Sequence, residues 1–306
     1  MSQRQQRAVA TALADNSGSS AMQGETKITC IETGKVDIKV AQLNARRERG
    51  GLGRKVDMIR DPKWLMNLPI ATMLIEHPTA GRFLVDTGDT WRSCCSGHVP
   101  WWHYIMRTQV KIKVAPHEEI GTKLLKLGVD PATDIDGVVL THMHGDHAGG
   151  LHHFPRTPIL VTKENYNVSK GIKGMVEGNL PQHWPTWLKP QFVEFSDGPI
   201  GPFEKSLSLV PDGSIALVPT PGHVKGHQSV IVRNGPGGLT YFISGDAAYM
   251  QSSVQQGIAD GVTMDPKTAV ETLRKIKVFC TSQPTVLLCG HDPENLERLE
   301  NRQLFK

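Results

Sequence analysis

A layered α/β fold is what this sequence predicts, and three observations predict it. Short apolar, β-branched runs recur along the chain, amphipathic stretches of helical period lie between several of them, and run after run ends on a histidine or an aspartate. The third pattern also points to chemistry, because a rigid sheet aims loop side chains from its strand ends into a shared cleft. At 306 residues the chain can build a large core, and α/β chains of this size often fold as one unit.

Residues 1–26 are rich in Gln, Ser and Ala, with no apolar run longer than Ala8-Val9-Ala10. They are expected to form a loose tail without a secretory signal or membrane span, ahead of a single domain over 27–306. Residues 28–31 and 36–40 look like two strands joined at Thr33-Gly34-Lys35 as a first hairpin. The polar, glycine-rich stretch to Pro62 then reads as a loop. Its cluster of Arg46, Arg47, Arg49, Arg54 and Lys55 is interleaved with Glu48 and reads as a solvated face, so neither nucleic acid nor a membrane is expected as a partner.

Residues 70–75 and 82–86 flank the turn material Pro78-Thr79-Ala80-Gly81 and predict a second hairpin. Residues 117–127, with Ile120, Leu124, Leu125 and Leu127 at helical spacing and Gly128 as a stop, predict an amphipathic helix. Strand 137–140 follows. Strand 215–218 runs into Thr220-Pro221-Gly222-His223, strand 241–244 into Gly245-Asp246, and strand 286–288 into Gly290-His291. Between the last two, residues 266–279 start on a proline and space Val270, Leu273, Ile276 and Val278 to cover a sheet.

The densest chemistry follows strand 137–140, where His142-Met143-His144-Gly145-Asp146-His147 packs three imidazoles and a carboxylate into six positions. These are the ligands of zinc and its first-row neighbours, and four so close cannot all meet on one tetrahedral ion, so two ions are expected. With His223, Asp246 and His291 the set reaches seven N and O donors, enough for two ions, a shared carboxylate and open positions for water. A structural site would be closed by four ligands, often Cys. The five cysteines show no metal spacing, suit a reducing, cytoplasmic compartment, and include Cys289, which reads as a buried strand residue.

In residue type and order, H-x-H-x-D-H at 142–147, the lone His223, Asp246 and the terminal His291 resemble the metallo-β-lactamase superfamily, as does Leu84-Val85-Asp86-Thr87-Gly88, a turn beneath the metals. The resemblance implies a four-layer αββα sandwich. It also implies that His142, His144 and His223 hold a first ion, Asp146, His147 and His291 a second, and that Asp246 bridges them. Within the superfamily, residues 220–229 and Asp246-Ala247-Ala248-Tyr249 resemble the N-acyl-homoserine lactonases, which quench bacterial quorum signals. Asp246 stands where lactamases with a Cys ligand would carry that Cys.

The implied mechanism is a lactone opened by a hydroxide between two cations, with Tyr249 donating to the reacting carbonyl and Asp146 shuttling a proton to the leaving alkoxide. Zinc is the default metal, with iron, manganese or cobalt fitting the same donors, and the resemblance implies a homodimer. His227 is expected to hydrogen-bond behind the ligands. The acyl chain needs apolar walls, for which Trp64, Leu65, Met66, Trp101, Trp102, Met175, Trp184 and Trp187 are candidates, although each taken alone reads better as a core plug or a dimer contact. His98, His103, His152, His153 and His183 are expected to be solvated or structural. The competing readings are a hydrolase of other lactones, aryl esters or phosphotriesters, a nucleic-acid phosphodiesterase, and a metal-binding protein without turnover.

Overall fold

Near-continuous apolar strands are stable only where both faces of a sheet are covered, and the alternation of side chains shows how this chain meets that demand. In a computed structural model, which describes residues 24–43, 51–235 and 238–306, β2 (Trp64–His77) and β3 (Gly81–Val85) pair antiparallel. Met73, Ile75, Phe83 and Val85 enter one core, while Leu74 and Leu84, one residue out of phase, enter another.

The first core lies between two sheets. One has seven strands in the order β4-β1-β2-β3-β5-β6-β7, adding β1 (Lys27–Lys39), β4 (Val110–Lys113), β5 (Gly137–Val139), β6 (Ile159–Thr162) and β7 (Gln191–Val193). The other has five in the order β12-β11-β10-β9-β8, from β8 (Leu207–Ser208), β9 (Ile215–Pro219), β10 (Gln228–Arg233), β11 (Thr240–Ile243) and β12 (Thr285–Leu288). Leu217, Val230, Ile243 and Leu288 face the first sheet across this core. Helix Ile120–Lys126 covers the outer face of the larger sheet through Ile120 and Leu124, and helix Pro266–Ser282 covers the smaller through Leu273, Ile276 and Phe279. The four layers are αββα, and each fully buried Phe or Leu contributes about 1.5–3 kcal/mol.

Two expectations need correction. The first hairpin is a single strand: both halves of β1 pair with β2, from Lys27 opposite Glu76 to Lys39 opposite Trp64, with a shift of register between Glu32 and Lys35. Gly34 marks that bulge, because its φ of 125° and a close approach to Val114 leave no room for a Cβ. The stretch before Pro62 is not all loop either. It contains helices Val40–Leu43 and Gly51–Arg60, and Arg54 is buried, donating to the carbonyls of Gly261 and Thr263. Arg46, Arg47 and Arg49, and the expected tail up to residue 23, lie outside the described residues. The helices over 117–127 and 266–279 form with adjusted ends, although Leu125, Leu127 and Val278 face solvent.

Candidate metal centre

Each of the four strand ends places its donor at one edge of the sandwich. The loop after β5 carries His142 and His144 and then the short helix Gly145–Ala148 with Asp146 and His147, the loop after β9 carries His223, the turn after β11 carries Asp246, and the loop after β12 carries His291. The β11 and β12 ends touch closely: a Cβ on Gly290 would stand 2.1 Å from Asp246 Oδ1, so only glycine lets them meet.

Three imidazole nitrogens converge first. His142 Nε2 lies 2.9 Å from His144 Nδ1, which lies 3.2 Å from His223 Nε2. The opposite nitrogen of each ring is tied to an acceptor. His223 Nδ1 donates to Asp260 over 3.0 Å and His144 Nε2 to the Glu177 carbonyl over 3.1 Å. His142 Nδ1 donates over 3.1 Å to the Thr141 hydroxyl, whose own hydrogen goes to Asp86. Burial, and then the His223 imidazole, holds His144 down to about 4, so it is neutral at pH 7. Burial followed by the His147 and His144 rings holds His142 well below 6.5. The His142 and His144 lone pairs therefore face one another at hydrogen-bond distance, while on His223 burial is outweighed by the Asp260 carboxylate, which raises it; the crowding of these nitrogens is stable around a cation.

A second group adjoins it. Asp246 Oδ1 lies 3.3 Å from His147 Nε2 and 3.4 Å from His291 Nε2, while its Oδ2 faces the first group, 3.6 Å from His223 and 3.9 Å from His142. Asp146 closes the set, 3.5 Å from His291 Nε2 and 3.9 Å from His147 Nε2. His147 Nε2 and Asp246 Oδ1 are buried with no hydrogen-bond partner, a costly pair of orphans that a metal ion would satisfy. Burial disfavours charge on His147 and His291, yet the Asp246 carboxylate and its neighbours outweigh it and raise both. On Asp246 burial is likewise outweighed, by His147 and His291, and its carboxyl is held well below 3.8. The carboxylates demand positive charge here, and protons and metal ions compete to provide it.

The supporting contacts come from elsewhere in the fold. Asp86, with a left-handed φ of 63°, takes the Nδ1 proton of His147 over 2.8 Å and two further hydrogens from Thr141. His291 Nδ1 donates to the Pro69 carbonyl over 2.9 Å. His227 is buried, bonded to Thr220 over 2.9 Å and outside both donor groups, and Cys289 is buried in the core under the smaller sheet.

Tyr249 stands with its ring 5.0 Å from that of His291 and 5.8 Å from that of His223. Burial, then the carboxylates of Asp260, Asp246 and Asp146, pushes its hydroxyl well above 10, so it remains a phenol. The Gln42 side chain lines the same cavity as the Tyr249 hydroxyl. Tyr249, Asp146, Asp246 and Gln42 open on a cavity of about 380 Å³ whose apolar walls include Met58, Ile105, Met106, Val110, Ile112 and Val262.

None of the eight residues expected to wall this cavity lines it. Trp64 lies under Lys39 and Lys111 in β2, which also contains Leu65 and Met66; Trp184 and Trp187 pack against the outer core of the larger sheet; Trp101 and Trp102 face solvent. Gln42 and Asp260 carry no signal in the sequence because each acts across the fold from a segment with no motif of its own. For Met58 a faint one exists in the amphipathic spacing of 51–60, obscured by its glycines and charges.

A mixed four-layer sandwich with paired His/Asp donor groups at its sheet edge defines a metal-dependent hydrolase class of site. The chain belongs to the metallo-beta-lactamase superfamily, whose family model matches residues 66–291. It is 27% identical over 233 residues to the N-acyl homoserine lactonase AiiA of Bacillus thuringiensis subsp. kurstaki, covering 76% of this chain and 85% of that protein. It is 25% identical over 239 residues to the N-acyl homoserine lactonase AttM of Agrobacterium fabrum, covering 74% and 83%. An N-acyl homoserine lactone hydrolase solved with N-hexanoyl-L-homoserine at its catalytic metal centre superposes with a TM-score of 0.70 at 23% identity, covering 92% of this chain and 98% of that one.

Proposed function

We propose that this protein hydrolyses the lactone ring of N-acyl homoserine lactones, a metal-dependent reaction that silences a bacterial quorum signal. The observation that carries the reading is the position of Tyr249: a neutral phenol between His223 and His291, on the floor of an apolar cavity and beside both donor groups. The lactonase relatives over three quarters of the chain support it.

His142, His144 and His223 would hold one ion and Asp146, His147 and His291 another, with an oxygen of Asp246 turned to each group. Two divalent cations supply, when bound, a water of lowered pKa and Lewis-acid polarisation of the carbonyl. Zinc suits this set of imidazoles and carboxylates, as iron, manganese or cobalt do. The chain's own residues do the rest. Tyr249 donates to the carbonyl oxygen as negative charge develops there, its hydroxyl kept protonated by burial and the surrounding carboxylates. As the ring C–O bond breaks, the half-buried Asp146 carboxyl returns the water's proton to the departing alkoxide. Met58, Ile105 and Met106 take the acyl chain, each buried CH₂ adding about 0.8 kcal/mol.

The domain over 27–306 works as one catalytic unit, a homodimer in the cytoplasm, in keeping with the exposed Trp101 and Tyr104 and with the cysteines, none of which is paired among the described residues. No described helix is long and apolar enough to cross a membrane. The test is turnover of short- and long-chain N-acyl homoserine lactones by metal-loaded protein, with an aryl ester and a phosphotriester alongside. The lactones are expected to be hydrolysed fastest, and a preference for the aryl ester or the phosphotriester overturns the assignment.

A further inference from the structure

We propose that Glu119, His152 and His153 form a third metal site, separate from the paired groups, that takes a zinc-class divalent cation. The Glu119 side chain is buried, and its Oε2 lies 2.8 Å from His153 Nε2 and 3.3 Å from His152 Nε2. Ligand bonds of about 2.0–2.2 Å place two donors on one ion about 3.3 Å apart, so little movement is needed to seat it.

Hydrogen bonding and burial suit the three groups to an ion. His152 Nδ1 donates to the Gly149 carbonyl over 3.2 Å, which leaves the Nε2 lone pair facing Glu119. Burial and the neighbouring His152 ring lower His153, so its imidazole is neutral. Burial opposes ionisation of Glu119, but hydrogen bonds from Thr90, Trp91 and His153 outweigh it and keep the carboxylate. An ion binding here takes the place of the His153 Nε2 hydrogen, which moves by exchange with solvent to Nδ1, so that the ring stays a neutral imidazole.

Two features show that the chain makes room for this cluster. Gly121 lies inside helix Ile120–Lys126, where a Cβ would come within 2.3 Å of His153 Nδ1; the helix gives up a side chain at the point where that ring lies against it. Beside the cluster is a second cavity of about 120 Å³, lined by His152, Thr90, Asp89 and Arg92, with space for the water that completes a His₂Glu shell. Arg92 sets the limit on affinity, since its cation opposes a second one nearby.

The position gives the site a consequence. Glu119 Oε1 accepts from the Thr90 hydroxyl at 2.6 Å and the Trp91 amide at 2.8 Å, and Ser93 to Gly97, immediately beyond, wall the main cavity. An ion on Oε2 stiffens the root of that wall without touching the paired groups.

The experiment is zinc binding to the metal-stripped full-length protein, counted by equilibrium dialysis and elemental analysis. The parent is compared with a His152→Ala/His153→Ala double variant and with Gly121→Ala, which keeps all three donors but obstructs His153. The parent should bind one ion more per chain than either variant at the same free zinc, and equal stoichiometry overturns the site. A crystal of the parent protein with zinc gives a readout that depends on no variant: an anomalous peak among Glu119, His152 and His153 is expected, and a map with peaks only at the paired groups overturns the proposal.

Discussion

The Asp86 carboxylate holds the Nδ1 hydrogen of His147 over 2.8 Å while its backbone sits in the left-handed region at φ 63°, so a strained turn beneath the sheet edge sets the direction of an imidazole in the paired donor groups. Asp86→Asn puts an amide where three donors converge. It is expected to weaken metal retention by about 10- to 100-fold, read by competition with a chelator. Unchanged retention would mean that the ring is fixed by packing alone.

Tyr249→Phe keeps the ring contacts with His223 and His291 and removes only the donor. Turnover is expected to fall roughly a hundredfold to a thousandfold with metal content and KM nearly unchanged. A loss confined to KM would place Tyr249 in substrate binding instead.

Burial, and then the charge of Asp146, raises Asp89 from 3.8 to about 7. A carboxyl whose pKa is higher in the folded state than in the unfolded chain binds its proton more tightly when folded. The stability this adds is fully present below pH 3.8 and is lost as the pH rises through about 7. Asp89→Asn, measured by denaturant unfolding of metal-stripped protein, should match the parent near pH 4 and exceed it at pH 8 by about 1–3 kcal/mol. A pH-independent difference would show that Asp89 does not titrate in this range.

Met106 on the cavity wall predicts chain-length selectivity. Met106→Ala should reduce kcat/KM for a long acyl chain several-fold, about fourfold for each lost CH₂ contact, and leave the shortest substrate little affected. Equal effects on both would remove the acyl chain from this wall.

The centre is legible in the sequence because its donors follow strands directly: β5, β9, β11 and β12 each carry their own signal of apolar run and terminal ligand, and local sequence records that relation. The cavity wall is not legible. Met58 and Met106 reach the cavity from helices over 51–60 and 104–109, whose placement depends on contacts far along the chain, such as Arg54 with Thr263. Large aromatics are the natural guess for such a wall, yet Trp184 and Trp187 pack into the larger sheet's outer layer. Gly34 misleads for a physical reason, since a positive φ serves a hairpin turn and a bulge equally, and the 14-residue span of its partner β2 is what distinguishes them.

The decisive measurement is stepwise metal addition to chelator-stripped protein, with lactone opening and bound ions followed on the same samples. A lactonase built on this centre shows no turnover when stripped and gains activity as ions fill the paired groups around Asp246. Fully loaded protein that leaves every N-acyl homoserine lactone intact would contradict the assignment.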